Sequence, residues 1–392
     1  MSDNEYCSTC LSIDKQVFFE LPPIPTMDGV MSSSVDVAMN SPRGEVRLSF
    51  CNQCGSIRNE AYEAEKVSFT EYDFSNDHSP IFAKYVDKLT TELVDKYQLH
   101  AKFIMDVGCG DGAFLQSLCQ KGANRGLGID PGFDHSGRSL PVGLDVRFVQ
   151  DLYTEAYENL APDFVACRHV LNVIDDQMAL IKSLRNNIGE NGRTVVYFEV
   201  PNMLYTFKEK VIWNVTYENR AWYTIEVLEY LLRSCGFDVL ATDLRWNDEF
   251  ISVEVSPAPA DQKVALPDSE LIAKIKEILT EFCHEYQSAK IEYEAGIETI
   301  KREGHKTIAW GAGARAVTFF NIFNIASEIP CIVDINTKRQ GKYLPGTAQE
   351  IISPQDLHSI RPDQIVITNP TYADEIKDEV RKMGLDPIYW IL

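Results

Sequence analysis

The chain has 392 residues and a formal net charge of −21. This length exceeds what one compact core of ordinary size needs, so we expect several domains. The acidic excess argues against a nucleic-acid partner, because phosphate-binding proteins need clustered lysine and arginine. No apolar run approaches the roughly 20 residues of a membrane helix, and the polar start lacks the features of a signal peptide. We therefore expect a cytoplasmic protein with no membrane partner.

Four of the ten cysteines form two Cys-x-x-Cys pairs: Cys7, Cys10, Cys51 and Cys54. In a reducing compartment, cysteines at this spacing are better candidates for metal ligands than for disulfide partners. Four thiolates suffice for a closed tetrahedral zinc site, which would organise a segment too short to bury its own core. Gly55 follows the second pair, whereas Leu11 stands where a glycine is expected after the first. We predict a structural zinc, with buried free thiols as the alternative.

After the cysteine segment, residues 80–97 carry apolar side chains at helical spacing, which predicts an amphipathic helix. An alternation of strands and helices follows and is typical of a parallel, doubly wound sheet. The predicted strands are residues 103–107, 126–130, 146–149, 163–167, 194–199, 237–241 and 250–255.

A proline-rich linker at residues 256–260 is followed by a predicted long helix at residues 269–302. A second alternation then has strands at residues 307–310, 331–334, 364–368 and 388–391, with helices after Arg315 and Tyr372. We therefore divide the chain into a cysteine-rich domain (1–70), a core (71–257), a linker with a long helix (258–303) and a small α/β domain (304–392).

A glycine-rich loop follows the first predicted core strand and precedes a predicted helix. Its glycines allow a sharp turn and close approach of a ligand, while the helix N-terminus offers unpaired N–H groups. Asp130 ends the next strand, where its carboxylate can accept hydrogen bonds from ribose hydroxyls. Asp151 follows the third strand and lies either near an adenine or in a solvated loop. The candidate cofactor-binding residues are Asp106, Gly108, Gly110, Gly112, Asp130 and Asp151.

Two cofactors fit this loop. Gly108, Gly110 and Ala113 satisfy the dinucleotide pattern of NAD-binding proteins. An anion such as Asp106 or Asp111 beside the turn suits a cofactor with an amino group and a sulfonium cation, and suits a pyrophosphate poorly. We predict S-adenosylmethionine, with NAD or a purely structural turn as alternatives.

The order of the parts resembles the sugar C-methyltransferase family, whose members methylate carbon 3 of nucleotide-activated 4-keto deoxysugars. The resemblance extends over nearly the whole chain. The blocks that carry it are Cys7-Ser8-Thr9-Cys10, Cys51-Asn52-Gln53-Cys54-Gly55, the glycine loop, Arg168-His169-Val170-Leu171, Phe198-Glu199-Val200-Pro201-Asn202, Trp310-Gly311-Ala312-Gly313, Val333-Asp334-Ile335-Asn336 with Lys338, residues 340–347, and Asn369-Pro370-Thr371-Tyr372.

The resemblance implies an α/β fold: a class I methyltransferase Rossmann-like sheet, flanked by a small N-terminal zinc-binding domain and a second Rossmann-like C-terminal domain. It also implies alkylation of an enolate. A base removes the proton beside the ketone, and the enolate carbon attacks the methyl group in line. Such a site needs a base, a donor for the developing oxyanion and exclusion of water.

In the family, a Tyr/Glu/His cluster after the fifth core strand supplies these groups, and the matching residues are Tyr217, Glu218 and Asn219. Asn219 stands in place of the histidine, and an amide cannot accept a proton at neutral pH. Either another group is the base, or the reaction is not proton abstraction from carbon. The other catalytic candidates are Tyr72, His78 and His169, and for both histidines a structural role is the alternative.

The C-terminal domain has its own G-x-G-x-x-A sequence from Gly311 to Ala316. Alone it would indicate NAD; the resemblance implies that this domain helps to hold the nucleotide-sugar, with Asn202, Arg315 and Lys338 as substrate-binding candidates. A purely structural domain is a further alternative. Competing functions are O- or N-methylation of a sugar or related metabolite, a non-methylating NAD-dependent sugar-nucleotide enzyme, and a scaffold without activity. The nucleotide, the sugar and the oligomeric state stay open.

Overall fold

The computed structural model describes residues 6–71, 79–134, 143–157, 160–188, 193–259 and 264–392. Two predicted catalytic residues, Tyr72 and His78, lie outside these ranges. Within them the strands form three sheets. No helix in the described ranges is both long enough and apolar enough to cross a bilayer.

The N-terminal part forms an antiparallel sheet. Its strands are β1 (Lys15–Pro25), β2 (Arg43–Cys51) and β3 (Ile57–Asn59), and a short helix, α1 (Val35–Met39), lies between the first two. The segment between the cysteine pairs thus contains β1, α1 and most of β2. The Ser34 side chain caps this helix by accepting a hydrogen bond from the Val37 N–H.

The middle part alternates strands and helices. In chain order its elements are α2 (Pro80–Tyr97), β4 (Phe103–Val107), α3 (Ala113–Gly122), β5 (Arg125–Ile129), β6 (Val146–Val149), β7 (Phe164–Arg168), α4 (Gln177–Ile188), β8 (Val195–Pro201), α5 (Met203–Lys208), β9 (Ala221–Trp222), α6 (Ile225–Ser234), β10 (Phe237–Arg245) and β11 (Phe250–Pro257). Strand β9 pairs with β3, so the N-terminal sheet is completed by a strand from the middle part.

The middle sheet has seven strands in the order β10-β11-β8-β7-β4-β5-β6. Strand β11 runs antiparallel between β8 and β10, whereas the strands from β8 to β6 are parallel. The dinucleotide-binding fold has no such inserted antiparallel strand in its usual order. The chain changes direction across this sheet between β4 and β7, and open α/β sheets bind ligands at such a switch point.

The C-terminal part begins with one long helix. Its elements are α7 (Ser269–Glu303), β12 (Thr307–Trp310), α8 (Ala314–Phe323), β13 (Cys331–Val333), β14 (Glu350–Ile352), α9 (Leu357–Ile360), β15 (Gln364–Ile367), α10 (Ala373–Lys382) and β16 (Ile388–Ile391). The five strands are parallel, in the order β14-β13-β12-β15-β16. The switch point of this second sheet therefore lies between β12 and β15. The expected α/β fold with two Rossmann-like sheets is confirmed.

Helix α7 packs against all three parts. Its Phe282 ring lies 5.1 Å from that of Phe19 in β1 and 4.9 Å from that of Phe207 in α5. Farther along the helix, the Tyr293 ring lies 5.6 Å from that of Phe319 in α8. Buried apolar residues of the three parts form one continuous cluster around these contacts. Burying aromatic rings on three sides stabilises one arrangement of the parts, so the predicted linker helix is part of the core.

Candidate active site

The glycine loop after β4 has the geometry of a ligand cradle. Gly108, Gly110 and Gly112 all have positive φ, at 70°, 54° and 81°. A Cβ atom at Gly108 would lie 2.2 Å from Val170, and one at Gly112 would lie 2.4 Å from Phe148. Only glycine combines this backbone conformation with so little space.

Asp130 holds the loop in shape. Its Oδ2 atom accepts a hydrogen bond from the Gly110 N–H at 2.8 Å, and its Oδ1 atom accepts one from the Gly132 N–H at 2.8 Å. Burial raises the pKa of Asp130, and these two N–H donors partly oppose that shift. Each carboxylate oxygen keeps a second lone pair, so Asp130 can also accept hydrogen bonds from two ribose hydroxyls.

A cavity of about 810 Å³ lies along this loop, at the switch point of the middle sheet. It is lined by five of the six predicted cofactor residues, namely Asp106, Gly108, Gly110, Asp130 and Asp151, while Gly112 shapes the turn beside it. Burial raises the pKa of Asp106 to about 7, and the nearby Arg168 opposes this rise. The residues present fit S-adenosylmethionine: a glycine cradle, a ribose-accepting carboxylate and acidic groups near the turn.

Asp151 lies at the solvent-exposed rim of this cavity. Its Oδ1 atom accepts a hydrogen bond from the Leu152 N–H at 2.8 Å, and its Oδ2 atom accepts one from the Tyr157 hydroxyl at 2.8 Å. Asp151 is thus an exposed loop acid that also lines the cavity, and its contact with an adenine stays a prediction.

A second cavity, of about 400 Å³, lies between the middle and C-terminal sheets. Its walls come from the loops after β12 and β15, which are the switch point of the C-terminal sheet, and from the segments around residues 216–219 and 246–250. The two cavities share lining residues, among them His169, Phe250 and Arg339. The carboxyl ends of the two sheets thus face a common space.

His169 stands where the two cavities meet. Its side chain is 30% exposed, and its Nε2 atom lies 3.1 Å from Glu199 Oε1. The Phe250 ring packs edge-on against the imidazole at 4.5 Å. The backbone of His169 has φ of 57°, an uncommon conformation for a residue with a side chain. The surroundings hold this conformation, since the His169 N–H donates to the Glu199 carbonyl oxygen at 2.7 Å.

Glu199 is fully buried beneath His169. Its Oε1 atom also accepts hydrogen bonds from Arg168 Nε and Nη2, at 2.9 and 2.8 Å. Its Oε2 atom accepts hydrogen bonds from the hydroxyls of Tyr85, at 2.6 Å, and Tyr197, at 2.7 Å. Burial by itself would raise the pKa of Glu199, but Arg168 and His169 outweigh burial and hold the pKa well below its usual range. Glu199 therefore stays ionised at neutral pH.

Two residues of the predicted Tyr/Glu/His cluster reach the second cavity. Glu218 accepts hydrogen bonds from the backbone N–H groups of Asp28 and Gly29, which bring the N-terminal part to the cavity wall. Asn219 accepts a hydrogen bond from Asn172 Nδ2 at 2.7 Å and donates one to the Thr216 hydroxyl at 3.1 Å. Asn219 is thus a neutral wall residue with both ends of its amide engaged.

Tyr217 does not line either cavity. Its hydroxyl accepts a hydrogen bond from the Glu63 N–H at 2.8 Å and donates one to the Ala61 carbonyl at 3.3 Å. Its ring stacks on Tyr62 with 5.6 Å between centroids. Adjacent side chains leave this irregular segment in different directions, so Tyr217 fixes the N-terminal part to the core instead of contacting substrate.

Arg315 connects the middle and C-terminal parts at the cavity wall. Its guanidinium donates to Asn214 Oδ1 at 2.8 Å, to Asn369 Oδ1 at 2.7 Å and to Glu249 Oε2 at 3.2 Å. These contacts use three of the five N–H donors of Arg315, and the residue also lines the second cavity. We conclude that it positions the two parts and contributes to the wall.

The other two predicted substrate residues do not line the cavities. Lys338 is exposed and lies outside both, whereas its neighbour Arg339 lines both. Asn202 caps α5 by accepting from the Leu204 N–H at 2.9 Å, and its side chain donates to the Asp248 carbonyl at 2.8 Å. Asn202 therefore acts as a helix cap in this structure, and substrate contact by Asn202 and Lys338 stays a prediction; the cation that lines both cavities is Arg339.

Sequence patterns missed Glu249 entirely. Its Oε1 atom accepts hydrogen bonds from the hydroxyls of Tyr205, at 3.1 Å, and Thr371, at 2.7 Å, so it joins the two parts together with Arg315. It follows three consecutive residues with positive φ, Trp246 to Asp248. No sequence motif predicts such a turn, although the Asn-Asp pair at residues 247–248 is typical of left-handed backbone.

The loop after β12 repeats the arrangement of the loop after β4. Asp334 Oδ2 accepts from the Ala312 N–H at 2.9 Å, and Oδ1 accepts from the Asn336 N–H at 2.8 Å. Asp130 makes the same two kinds of contact, with a loop N–H and with the N–H two residues ahead. Asp334 also pairs with Arg339 at 3.4 Å. Each sheet thus presents a glycine turn and an acidic residue at its switch point.

The four cysteines form one cluster, remote from the lining of both cavities. Their sulfur atoms all lie within 4.8 Å of one another. Leu11 and Gly55 both have positive φ, at 62° and 77°, and their N–H groups donate to the carbonyls of Cys7 and Cys51. The two pairs therefore form matching turns, although only one carries the glycine that this conformation favours. Four converging thiols are a donor set that fits zinc.

In the comparison with known proteins, one family model matches each of the two regions that contain a switch point. Residues 81–242 match the model of a methyltransferase domain, and residues 256–391 match the model of a C-methyltransferase C-terminal domain. One relative is the C-methyltransferase NovU of Streptomyces niveus, which is 22% identical over 85% of this chain and 82% of the relative.

Other relatives match a smaller share of the chain. A ubiquinone biosynthesis O-methyltransferase of Salmonella paratyphi A is 26% identical over 37% of this chain, and the match spans 61% of that relative. Among solved structures, the magnesium protoporphyrin IX methyltransferase of Synechocystis PCC 6803 with bound SAH aligns with a TM-score of 0.36 and 20% identity. That alignment covers 45% of this chain and 84% of the other.

The family models carry the assignment because they fall on the two parts that face the cavities. The methyltransferase model covers the glycine loop, Asp130 and His169, and the C-methyltransferase model covers the second glycine turn and Asp334. The chain is an S-adenosylmethionine-dependent methyltransferase.

Proposed function

We propose that this enzyme methylates a carbon atom next to the ketone of a nucleotide-activated keto sugar. The observation that carries the proposal is the meeting of two cavities at His169, each at the switch point of a parallel sheet. In-line transfer needs donor and acceptor bound side by side. The C-methyltransferase domain match and the name of the Streptomyces niveus relative support carbon as the acceptor.

The residues around the first cavity bind and orient the methyl donor. When bound, S-adenosylmethionine supplies an electrophilic methyl group on a sulfonium centre. Asp130 accepts hydrogen bonds from the ribose hydroxyls, and the cradle of Gly108 and Gly110 lets the ligand contact backbone. Asp111 places negative potential beside the donor's cationic end, and a cation bound there would favour the ionised form of Asp106. Together they orient the donor toward His169 and the second cavity.

The residues around the second cavity suit the nucleotide-sugar. The N-cap residue of α8 is Gly313, which has no side chain to cap the helix. The N–H groups of the first helical turn can therefore bind a phosphate. Arg339 also lines this part of the cavity. Asp334 Oδ1, which accepts from the Asn336 N–H, keeps a lone pair for a sugar hydroxyl, whereas Oδ2 is engaged by the Ala312 N–H and Arg339. Trp222 and Phe250 provide apolar surface near His169, where exclusion of water favours the reaction.

Methylation of oxygen or nitrogen is the second candidate. It is favoured by Asn219, which removes a proton acceptor from the predicted cluster, and by the O-methyltransferase relative of the middle part. A hydroxyl or amine acceptor keeps its lone pair for attack and needs less assistance from a base than a C–H bond.

The position of the methyl group in the product tests the proposal. Purified enzyme is incubated with methyl-¹³C S-adenosylmethionine and a set of nucleoside-diphosphate 4-keto-6-deoxyhexoses, and the products are analysed by NMR. We expect the label as a methyl group on carbon. Label on oxygen or nitrogen would favour the second candidate, and absence of transfer to every sugar would contradict the sugar substrate. Calorimetry with NAD serves as a control, for which we expect no binding.

We also propose that the four cysteines hold one structural zinc ion. A closed four-thiolate site leaves no position for a reactive water, so the ion would stabilise the N-terminal part without taking part in methyl transfer. Protein purified without chelator is expected to contain one zinc per chain by elemental analysis, and Cys54→Ser is expected to lose it. The matched control is Cys109→Ser, a buried cysteine outside the cluster, which should keep the metal. Zinc-free wild-type protein would contradict this proposal.

A further inference from the structure

We infer that His169, oriented by Glu199, accepts the proton that leaves the sugar carbon, so that it replaces the histidine missing at position 219. This inference rests on the proposed carbon methylation. It differs from the arrangement of the family that the sequence resembles, in which residues after the fifth core strand contribute the base, and it assigns that role to one of the catalytic candidates, His169. It is supported by the geometry of His169, by the chemistry of its neighbours and by the hydrogen bonds that hold the Asn219 amide.

The position of His169 is the first argument. A base must contact the acceptor carbon on the face from which the proton leaves, close to where the methyl group arrives. His169 lines both the cofactor cavity and the substrate cavity. Asn219 lines the substrate cavity and carries no basic group. Its amide is also held by Asn172 and Thr216, which fixes it as part of the wall.

The contact with Glu199 determines which ring nitrogen is basic. Glu199 is ionised and can only accept, so the proton of the neutral imidazole lies on Nε2, which is 3.1 Å from Glu199 Oε1. The lone pair then lies on Nδ1, for which the described residues provide no hydrogen-bond partner. His169 is therefore held in the tautomer that can accept a proton from a ligand.

Arg168 limits what Glu199 contributes. Two guanidinium nitrogens and His169 Nε2 share the same carboxylate oxygen. Because Arg168 already balances the negative charge of Glu199, the carboxylate acts mainly on the orientation and tautomer of the imidazole. Glu199 is thus a positioning residue, and the proton acceptor is His169.

The backbone of His169 gives independent support. A residue with a side chain at φ of 57° is in an uncommon, strained conformation, and such strain collects at functional sites. With this backbone the imidazole contacts Glu199 and Phe250 at the junction of the cavities.

Among the described residues, Asp28 is a second candidate base at the junction, because it also lines both cavities. A carboxylate is a weaker base than imidazole at neutral pH, and the best general base has a pKa near the working pH. The backbone of Asp28 is already tied to Glu218. The experiment below therefore includes an Asp28 variant.

The proposed step balances as follows. The sugar C–H bond breaks, its proton goes to Nδ1 of His169, and its electron pair forms the enolate. When the enolate carbon forms its bond to the methyl group, the carbon–sulfur bond of the donor breaks and its electrons stay on sulfur, which leaves a thioether. The proton passes from His169 to solvent when the product leaves.

Chemical rescue tests the inference. In His169→Gly the backbone keeps a conformation that glycine adopts freely, and the variant leaves a space of imidazole size. We expect methyl transfer to a nucleoside-diphosphate 4-keto-6-deoxyhexose to fall by at least about 100-fold. Binding of S-adenosylmethionine should stay within a factor of about three. Added imidazole should restore part of the rate in His169→Gly and leave the rates of wild type and Asp28→Ala unchanged.

Hydrogen exchange separates the proton step from methyl transfer. In D₂O with S-adenosylhomocysteine in place of the methyl donor, wild-type enzyme should exchange the hydrogen beside the ketone, and His169→Gly should not. Transfer and exchange that persist in His169→Gly, or that are lost only in Asp28→Ala, would overturn the inference while leaving the proposed function intact. Failure of the proposed function would appear differently, as absence of carbon methylation by the wild type.

The role of Glu199 has a spectroscopic readout. In protein labelled with ¹⁵N-histidine, the His169 ring shifts of the wild type should report the Nε2–H tautomer, and Glu199→Leu, which removes the acceptor, should give a mixture of tautomers. An Nδ1–H tautomer in the wild type would remove Glu199 from the mechanism.

Discussion

Arg168→Met is expected to lower the free energy of unfolding by about 3–5 kcal/mol, because it leaves a buried carboxylate without its cation. Glu199 is fully buried, and Arg168 supplies two of its hydrogen bonds. The hydroxyls of Tyr85 and Tyr197 would remain as donors, but neither balances the negative charge. Denaturant titration followed by fluorescence measures the loss.

The pH dependence of this loss has a definite sign. In the wild type the lowered pKa of Glu199 contributes stability that is present above its unfolded-state pKa and disappears as the pH falls. In Arg168→Met, burial without a cation raises that pKa above the unfolded value, so stability decreases as the pH rises. The difference between variant and wild type should therefore be larger at pH 7 than at pH 4.

The matched control is Lys102→Met. Lys102 pairs with Asp163 at 3.2 Å, but both side chains are more than 40% exposed. Exposed pairs contribute about 0–1 kcal/mol, so this variant should unfold close to the wild type. An equal loss in the two variants would contradict the assignment of Glu199 as a buried anion that depends on Arg168.

Asp130→Asn is expected to weaken binding of S-adenosylmethionine by about 100-fold or more. The asparagine oxygen can replace one acceptor, but its NH₂ group would face an N–H of the loop and cannot accept from it. The variant thus loses part of the loop's support, which comes from the Gly110 and Gly132 N–H groups, and also loses the charge-assisted contacts to ribose. Titration calorimetry with S-adenosylhomocysteine gives the same comparison without turnover.

Asp151→Asn is the control for this prediction. Asp151 also lines the cavity, but it lies at the exposed rim, where water competes for every contact of its carboxylate. We expect the affinity of Asp151→Asn for S-adenosylmethionine to differ from that of the wild type by less than about fivefold. If both variants bound as tightly as the wild type, the cavity along the glycine loop would not be the cofactor site.

Local patterns predicted the regular elements well. The helix predicted at residues 80–97 and the strands predicted at 103–107, 146–149, 307–310 and 388–391 have these bounds in the structure. Their residues repeat apolar side chains with a helical period or form short buried runs, and such signals lie within one element. Strand β14 has three residues and strand β9 two, and segments so short carry no period that could be recognised.

The candidate site was predicted where its residues follow the parallel strands of one sheet. The glycines after β4, Asp130 and His169 follow strands that end at one edge of a sheet, so chain order alone predicted their grouping. Chain order could not predict which of two adjacent residues faces the cavity. Glu218 reaches the cavity and Tyr217 does not, and Arg339 reaches it while Lys338 stays exposed.

The sequence by itself determined which chemical groups occur and in what order along the chain. These are two glycine turns, each followed by an acidic residue after the next strand, and four cysteines in two matching pairs. These are local features, because turn conformation and residue spacing depend on neighbours in the chain. Only the tertiary structure decided that Glu199 holds His169, that Asp28 meets Glu218 and that Arg315 joins Glu249 to Asn369. Such contacts depend on how the sheets pack against one another, and a side chain's direction in an irregular segment is set by that packing.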